Sequence, residues 1–222
     1  GITMHEPATV SAIHRHADHV TVETTGGETI TTEMAFVAVG RVPDIKRLGL
    51  GVLHDDPSGE VRLTTDPFGR TQFETIYAVG DVVNPRKTAN RAMAQAYIAG
   101  AHAAGKEVEP FDEKNVISAV YTEPGLAQVG VLQGPDIKTH LTTYTYSMIS
   151  HISNSSGWIK LAVNTGGLLS GVAVLGPHAA EIITPAALIM DSLKPVNYYK
   201  KFYAANPTYS ELFFDALRQL PA

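Results

Sequence analysis

The stretch that decides the fold reads Ile76-Tyr77-Ala78-Val79-Gly80-Asp81-Val82, and after Asn84-Pro85 it continues with Ala89, Ala92, Met93, Ala96, Gly100 and Ala103 at helical spacing. A short apolar run closed by Gly-Asp predicts an interior strand over 76–79. Glycine at a strand's end lets another group approach the backbone, because no Cβ stands in the way. A carboxylate there accepts hydrogen bonds from sugar-like hydroxyls; read locally, Asp81 only caps the following turn. The helix predicted to start near Thr88 has free N–H groups and a positive dipole end, which suit negative charge. Its face is nearly all small residues, so it packs close to a neighbour, and Gly105 is its expected C-terminal cap.

Outward from this point the chain divides into regions. Residues 7–13 predict a short strand. Val20, Val22 and Ile30 alternate with polar residues around Gly26-Gly27, a hairpin signal. Met34–Val39 is an apolar run ending at Gly40 and predicts a second strand buried on both faces. Residues 50–66 read as loop, with a short strand near Val61–Leu63. Residues 107–115 are polar, contain Pro110 and read as a linker. Beyond it the pattern becomes antiparallel β: 116–121, 142–146, 158–164 and 169–175, the last two joined by a Gly166-Gly167 turn. Helices are expected near 179–193 and 208–220, with Pro185 kinking the first or shifting its start.

Composition narrows the functions. The net charge is −5, so no basic field draws nucleic acid or an anionic membrane face. There is no cysteine, which excludes a disulfide scaffold, thiolate metal ligation and dithiol chemistry supplied by these 222 residues, and suits a reducing cytoplasm. No apolar run reaches membrane-spanning length and no signal peptide opens the chain. The first residue is Gly1, and a start inside a longer protein is the expectation.

Three motifs in order, Ala38-Val39-Gly40-Arg41-Val42-Pro43, then Thr71 with Ile76–Val82, then Tyr121-Thr122-Glu123-Pro124-Gly125-Leu126-Ala127-Gln128-Val129-Gly130, carry a resemblance. Together they are similar to the C-terminal half of the FAD-dependent pyridine nucleotide–disulfide oxidoreductases, the family of dihydrolipoamide dehydrogenase, glutathione reductase and mercuric reductase. Gly157-Trp158-Ile159-Lys160-Leu161, Gly176-Pro177-His178-Ala179-Ala180-Glu181 and Asn206-Pro207-Thr208-Tyr209-Ser210-Glu211 resemble the family's interface domain and its C-terminal active-site motif. The resemblance covers essentially the whole chain. Full members carry a Gly-rich FAD unit, a redox disulfide and a Gly-rich NAD(P)H unit, and no Gly-x-Gly-x-x-Gly follows a strand here.

The resemblance implies a fold that is α/β plus α+β: the end of a Rossmann-like nicotinamide and FAD-binding portion, then an α+β interface (dimerisation) domain with an antiparallel sheet. Residues 1–40 would close the NAD(P)-binding domain, 41–115 would form the second segment of the FAD domain, and 116–222 would form the interface domain of a homodimer. The partner implied is the N-terminal FAD/NAD(P) half, without which the chain is expected to lose FAD; the apolar runs at 34–39 and 76–79 would then form an incomplete layer or pair with each other and another copy. Gly80 and Asp81 would hold the ribityl chain of FAD, and Thr88 and Ala89 would present backbone amides to the flavin's pyrimidine edge.

Locally, Thr208-x-x-Glu211 before an apolar run is a capping box and needs no catalytic explanation. In the family's disulfide reductases the same stretch reads His-Pro-Thr-x-Ser-Glu, the His being acid/base and the Glu its orienting partner. Here Asn206 stands at the His position and does not titrate, so thiol–disulfide exchange is in doubt while hydride transfer from NAD(P)H to flavin is not. The neighbouring residues offer no replacement His; Tyr203 and Tyr209 are the alternative proton donors. Gly100-x4-Gly105-Lys106 is rejected as a phosphate loop, because Glu107 follows and the segment ends a helix. His14, His16 and His19 are read as a solvated strand edge, and no metal site is assigned.

The leading function is therefore a cytoplasmic flavoprotein passing electrons from NAD(P)H through FAD to an acceptor, in cell redox homeostasis, with residues 206–211 completing the partner subunit's site. The alternatives are a flavin reductase with a quinone, oxygen or metal-ion acceptor, and a non-catalytic dimerisation module.

Overall fold

The computed structural model describes residues 1–49 and 63–220, and within these the chain forms two compact units, Gly1–Pro43 and Asp44–Ala222. The strand expected near 61–63 falls mostly outside the described residues.

The first unit is a three-stranded antiparallel meander, β1 (Val10–Arg15), β2 (Val20–Thr24) and β3 (Thr29–Thr32), in that order. The β2–β3 hairpin forms at the glycine pair as expected: Gly27 takes φ 83°, and the Thr24 hydroxyl accepts the Glu28 N–H at 3.2 Å. The unit buries one residue, Thr24. Residues 34–39 are not a strand. Phe36 is 91% exposed and Val39 88%, and no strand among the described residues pairs with them. Apolarity reports what a segment would bury, while a ladder also needs a neighbour to exchange hydrogen bonds with.

In the second unit, residues 76–79 are likewise extended without being a ladder strand. Tyr77 bridges only Arg70, at the edge of a loop that Thr71 closes by donating twice: its N–H and its hydroxyl both reach the Ile76 carbonyl, each at 2.9 Å. A single 3₁₀ turn over Gly80–Val82 leads into helix α1 (Ala89–Ala103). That helix ends as expected. Gly105 is left-handed at φ 68°, its N–H reaches the His102 carbonyl, and the Lys106 N–H reaches Ala101.

The body of the unit is a five-stranded antiparallel sheet in the order β4-β5-β8-β7-β6, made of Ser118–Val120, Leu126–Gly130, Leu169–Leu175, Trp158–Asn164 and Ile137–Thr143 respectively. Strand β7 opens with Trp158, paired across to Thr143 and Leu175. β5 was not expected as a strand, and β6 lies over 137–143, not 142–146. β5 is five residues interrupted by the exposed Gln128, and β6 is mostly polar and exposed, so neither shows a sustained apolar run.

Short helices cover the sheet. The expected 179–193 helix is two, α3 (Ala179–Ile182) and α4 (Thr184–Asp191), because Pro185 sits in the first turn of the second. After α2 (Met148–Ser153) and α5 (Val196–Tyr199), neither anticipated, the last helix α6 runs Glu211–Arg218. The core is the seam between sheet and helices: Ile159, Leu161, Val172, Val174, Ile183 and Phe213 are at most 1% exposed. The segments carrying Gly80 and Asn206 both belong to this unit.

Candidate functional site

The Gly80 turn and α1 meet as their sequence requires. Gly80 has φ 73°, and a Cβ built on it would come within 3.0 Å of the Ala92 Cβ. Only glycine with a small residue opposite lets the turn lie this close to the helix. The Gly80 N–H donates to Gln95 Oε1 at 2.8 Å, clamping the turn to the helix from its far side. Asp81 is exposed at the tip of the turn. Thr88, the N-cap of α1, makes no side-chain cap, so the first-turn amides, Ala89 among them, are not satisfied by the helix's own cap.

One turn in, Arg91 is fully buried. Its Nη1 donates to the Arg86 carbonyl at 3.3 Å and to Thr88 Oγ1 at 3.4 Å, and its Nη2 donates to Glu113 Oε1 at 3.0 Å, while its Nε has no partner. This side chain ties the loop before α1 to the segment after it. The spacing of small residues hid it, since an arginine in an alanine-rich face reads as solvent-facing.

The capping-box expectation at 208–211 fails. The Thr208 hydroxyl donates to the Ala205 carbonyl at 2.6 Å, and the N-cap of α6 is Ser210, helical at φ −64° and without a side-chain cap. Glu211 instead turns back to Asn206, whose Nδ2–H donates to Glu211 Oε2 at 2.6 Å. The carboxylate is 7% exposed, and its other oxygen, Oε1, is buried without a partner. Asn206 thus gives Glu211 a neutral, non-titrating donor.

Tyr209, between these two, donates its hydroxyl to Ser153 Oγ at 2.7 Å. Its ring stacks on His178, with centroids 4.4 Å apart and planes 28° apart. The residues beside Asn206 in sequence include no histidine; the fold sets His178, just beyond the end of β8, against Tyr209 of the same segment. His178 sits in the left-handed region, φ 58°, and its Nδ1 lies 4.0 Å from Glu181 Oε2. With Tyr121, Thr122 and Glu123 it lines a cleft of about 220 Å³. Tyr144, behind Tyr209, is buried, and burial raises its phenol above the ordinary range, with Tyr209 adding to the effect. Tyr203 is exposed under the Arg218 guanidinium, away from these contacts.

The remaining sequence features resolve simply. The Gly100–Lys106 segment is the end of α1. His16 stacks on His19, His19 contacts Asp18, and His14 lies 3.4 Å from Glu23. Among the described residues no group of three His, Cys, Asp or Glu side chains is placed to hold a metal ion, and no helix is long and apolar enough to cross a membrane.

Residues 1–103 match the family model of the pyridine nucleotide-disulphide oxidoreductases, and residues 116–217 match that of their dimerisation domain. The chain is 30% identical to an NAD(P)H dehydrogenase (quinone) of Mycobacterium tuberculosis, across 100% of this chain and 47% of that protein. It is 29% identical to the dihydrolipoyl dehydrogenase of Bacillus subtilis, across 83% of this chain and 42% of that protein. Among solved structures, LpdA from Mycobacterium tuberculosis superposes with a TM-score of 0.87 at 28% identity, over 97% of this chain and 49% of the other. The flavoprotein disulfide reductase RclA from Escherichia coli, at a TM-score of 0.78 and 21% identity over 96% of this chain and 51% of the other, shares the fold. The chain spans about half the length of the curated relatives it matches.

Proposed function

The chain belongs to the pyridine nucleotide–disulphide oxidoreductase family, and from that premise we propose that it serves an FAD-dependent oxidoreductase that moves electrons from NAD(P)H to an acceptor other than a disulfide, a quinone being the acceptor class favoured. The observation that carries this reading is the Asn206–Glu211 hydrogen bond of 2.6 Å. Exchange of thiols with a disulfide needs a group that accepts and returns a proton near neutral pH, and an amide does neither. Quinone reduction makes no such demand on this residue, and the similarity to a protein named for a quinone acceptor supports the same choice.

FAD, when bound, supplies the chemistry of taking two electrons from a nicotinamide and delivering them onward. The residues present fit such a group. The exposed Asp81 carboxylate would accept hydrogen bonds from its ribityl hydroxyls, at a turn that Gly80 and Ala92 fold tightly against α1. The uncapped first turn of α1, at Thr88 and Ala89, would present amides to an electron-rich edge, preorganised and needing no rearrangement. Arg91 would hold that helix start in place through Arg86 and Thr88. Glu211, fixed by Asn206, would face the partner subunit's site in a homodimer formed through residues 116–222. In this reading residues 1–40 end the nicotinamide domain and 41–115 belong to the FAD domain, the N-terminal half being the partner that completes both.

The test uses the holo-flavoprotein in which this chain is joined to its FAD/NAD(P) half. NAD(P)H oxidation is followed with duroquinone, lipoamide or oxidised glutathione as acceptor. Turnover with the quinone and none with either disulfide is expected. Disulfide reduction at a rate matching that of the quinone would overturn the proposal.

A further inference from the structure

Deepening the quinone reading and resting on it, we infer that the cleft beside His178 docks a small, neutral, planar quinone-class acceptor, with the His178 ring donating a hydrogen bond to one of its carbonyl oxygens.

The backbone is the first argument. His178 takes φ 58°, ψ 25°, a left-handed conformation that few side chains other than Asn, Asp and His adopt. The fold holds it there: the Glu181 and Ile182 N–H groups both donate to the His178 carbonyl, at 3.1 and 2.9 Å.

The ring's surroundings are the second. One face lies on Tyr209, and the side chain remains 53% exposed on the cleft. Tyr209 is itself pinned, its hydroxyl within 2.7 Å of Ser153 Oγ and 3.2 Å of Ser155 Oγ. The imidazole therefore rests on a fixed aromatic plate and turns its other side to an incoming ligand. Tyr209 belongs to the Asn206–Glu211 segment, so the cleft adjoins the candidate site.

The third is chemical fit. A quinone carbonyl only accepts hydrogen bonds, and the cleft lining offers two aromatic donors, the exposed Tyr121 phenol and the His178 imidazole, of which the imidazole is the one seen fixed against the Tyr209 ring. Leu126, Pro177, Ala179 and Ala180 give the walls an apolar part for a ring to lie against. Glu123 and Glu181 stand on the same lining and disfavour an anionic acceptor. At about 220 Å³ the cleft is smaller than the roughly 300–1,000 Å³ of a site for a drug-sized ligand, which suits one or two fused rings without a long isoprenoid tail. Neither this cleft nor a larger hollow of about 700 Å³, lined by Asp112, Asp136 and Met190 among others, draws lining from residues 206–211, but the cleft is tied to that segment by the His178–Tyr209 stack, while the hollow's lining holds no aromatic ring.

The experiment uses the full 222-residue chain with its histidine rings isotopically labelled, titrated with duroquinone and followed by NMR. The His178 ring resonance, assigned from His178→Asn, should shift and saturate while that of exposed His151 stays put. Asparagine tolerates the left-handed backbone, so this variant retains the fold. It should weaken duroquinone binding at least tenfold, and in the holo-flavoprotein it should raise the quinone KM while leaving Kd for NAD(P)H unchanged. An unmoved His178 resonance, or affinity within twofold in His178→Asn, overturns the inference and leaves the quinone reading intact. A holo-flavoprotein that reduces lipoamide and no quinone overturns both.

Discussion

Replacing Asn206 by alanine removes the hydrogen-bond partner of a carboxylate that has no other among the described residues. Glu211 is 7% exposed, Oε1 is orphaned, and Oε2 takes the amide N–H at 2.6 Å. A hydrogen bond to a charged group contributes about 1.5–3 kcal/mol. Asn206 itself lies at the surface, so water replaces part of what is lost, and the lower end of that range, about 1.5 kcal/mol, is the expectation. For a unit of this size that is a fall in Tm of roughly 3–6 °C. Urea titration followed by far-UV circular dichroism measures it. Glu211→Gln in the alanine background should recover at least ~1 kcal/mol of the loss, since a neutral amide tolerates the missing donor better than a carboxylate. Asn206→Asp sets two carboxyls against each other, so one keeps its proton in the folded state. Its folded-state pKa is then raised, the stability it contributes is present at low pH, and it is lost as pH rises through that value. The variant should therefore come close to the parent near pH 4 and fall behind it by pH 8. If Asn206→Ala costs less than ~0.3 kcal/mol, or the Gln background rescues nothing, Glu211 is not held as described.

Other sites make separate demands. Gly171→Ala should cost about 3 kcal/mol by chemical denaturation, because its Cβ would meet the Val131 backbone oxygen at 2.5 Å, and backbone cannot swing aside. Arg91→Met should cost about 1–3 kcal/mol, leaving the Arg86 carbonyl and Thr88 hydroxyl unmatched while Glu113 stays solvated; Arg91→Ala should cost more, since it also opens a cavity. Tyr144 stays neutral in the folded chain above the pH at which an ordinary phenol ionises, so stability should decline as pH climbs past about 10, and the decline should be shallower in Tyr144→Phe when urea midpoints are compared from pH 8 to 11.

What could be read in advance was local. The Gly26-Gly27 and Gly166-Gly167 hairpins, the β7–β8 pair, the alanine-lined helix and its Gly105 cap all follow from residues within a few positions of one another. Pro185 announced a break, and the break is there. The failures are cases where a distant partner decides. Met34–Val39 and Ile76–Val79 are apolar enough for interior strands, yet a ladder depends on a neighbour that composition does not name. Thr208 has the right spacing to cap α6, but its hydroxyl finds the Ala205 carbonyl first, and that frees Glu211 to meet Asn206. The contact of His178 with Tyr209 spans the segment from the end of β8 to α6, and no sequence window holds both rings.

Trp158 is the single tryptophan of the chain, and it stands at the head of a strand flanked on both sides by paired neighbours. Intrinsic fluorescence excited at the indole band is thus an optical probe placed inside the five-stranded sheet. Comparing its emission with a backbone signal, which reports the strands of both units, follows the loss of this sheet without any label being introduced.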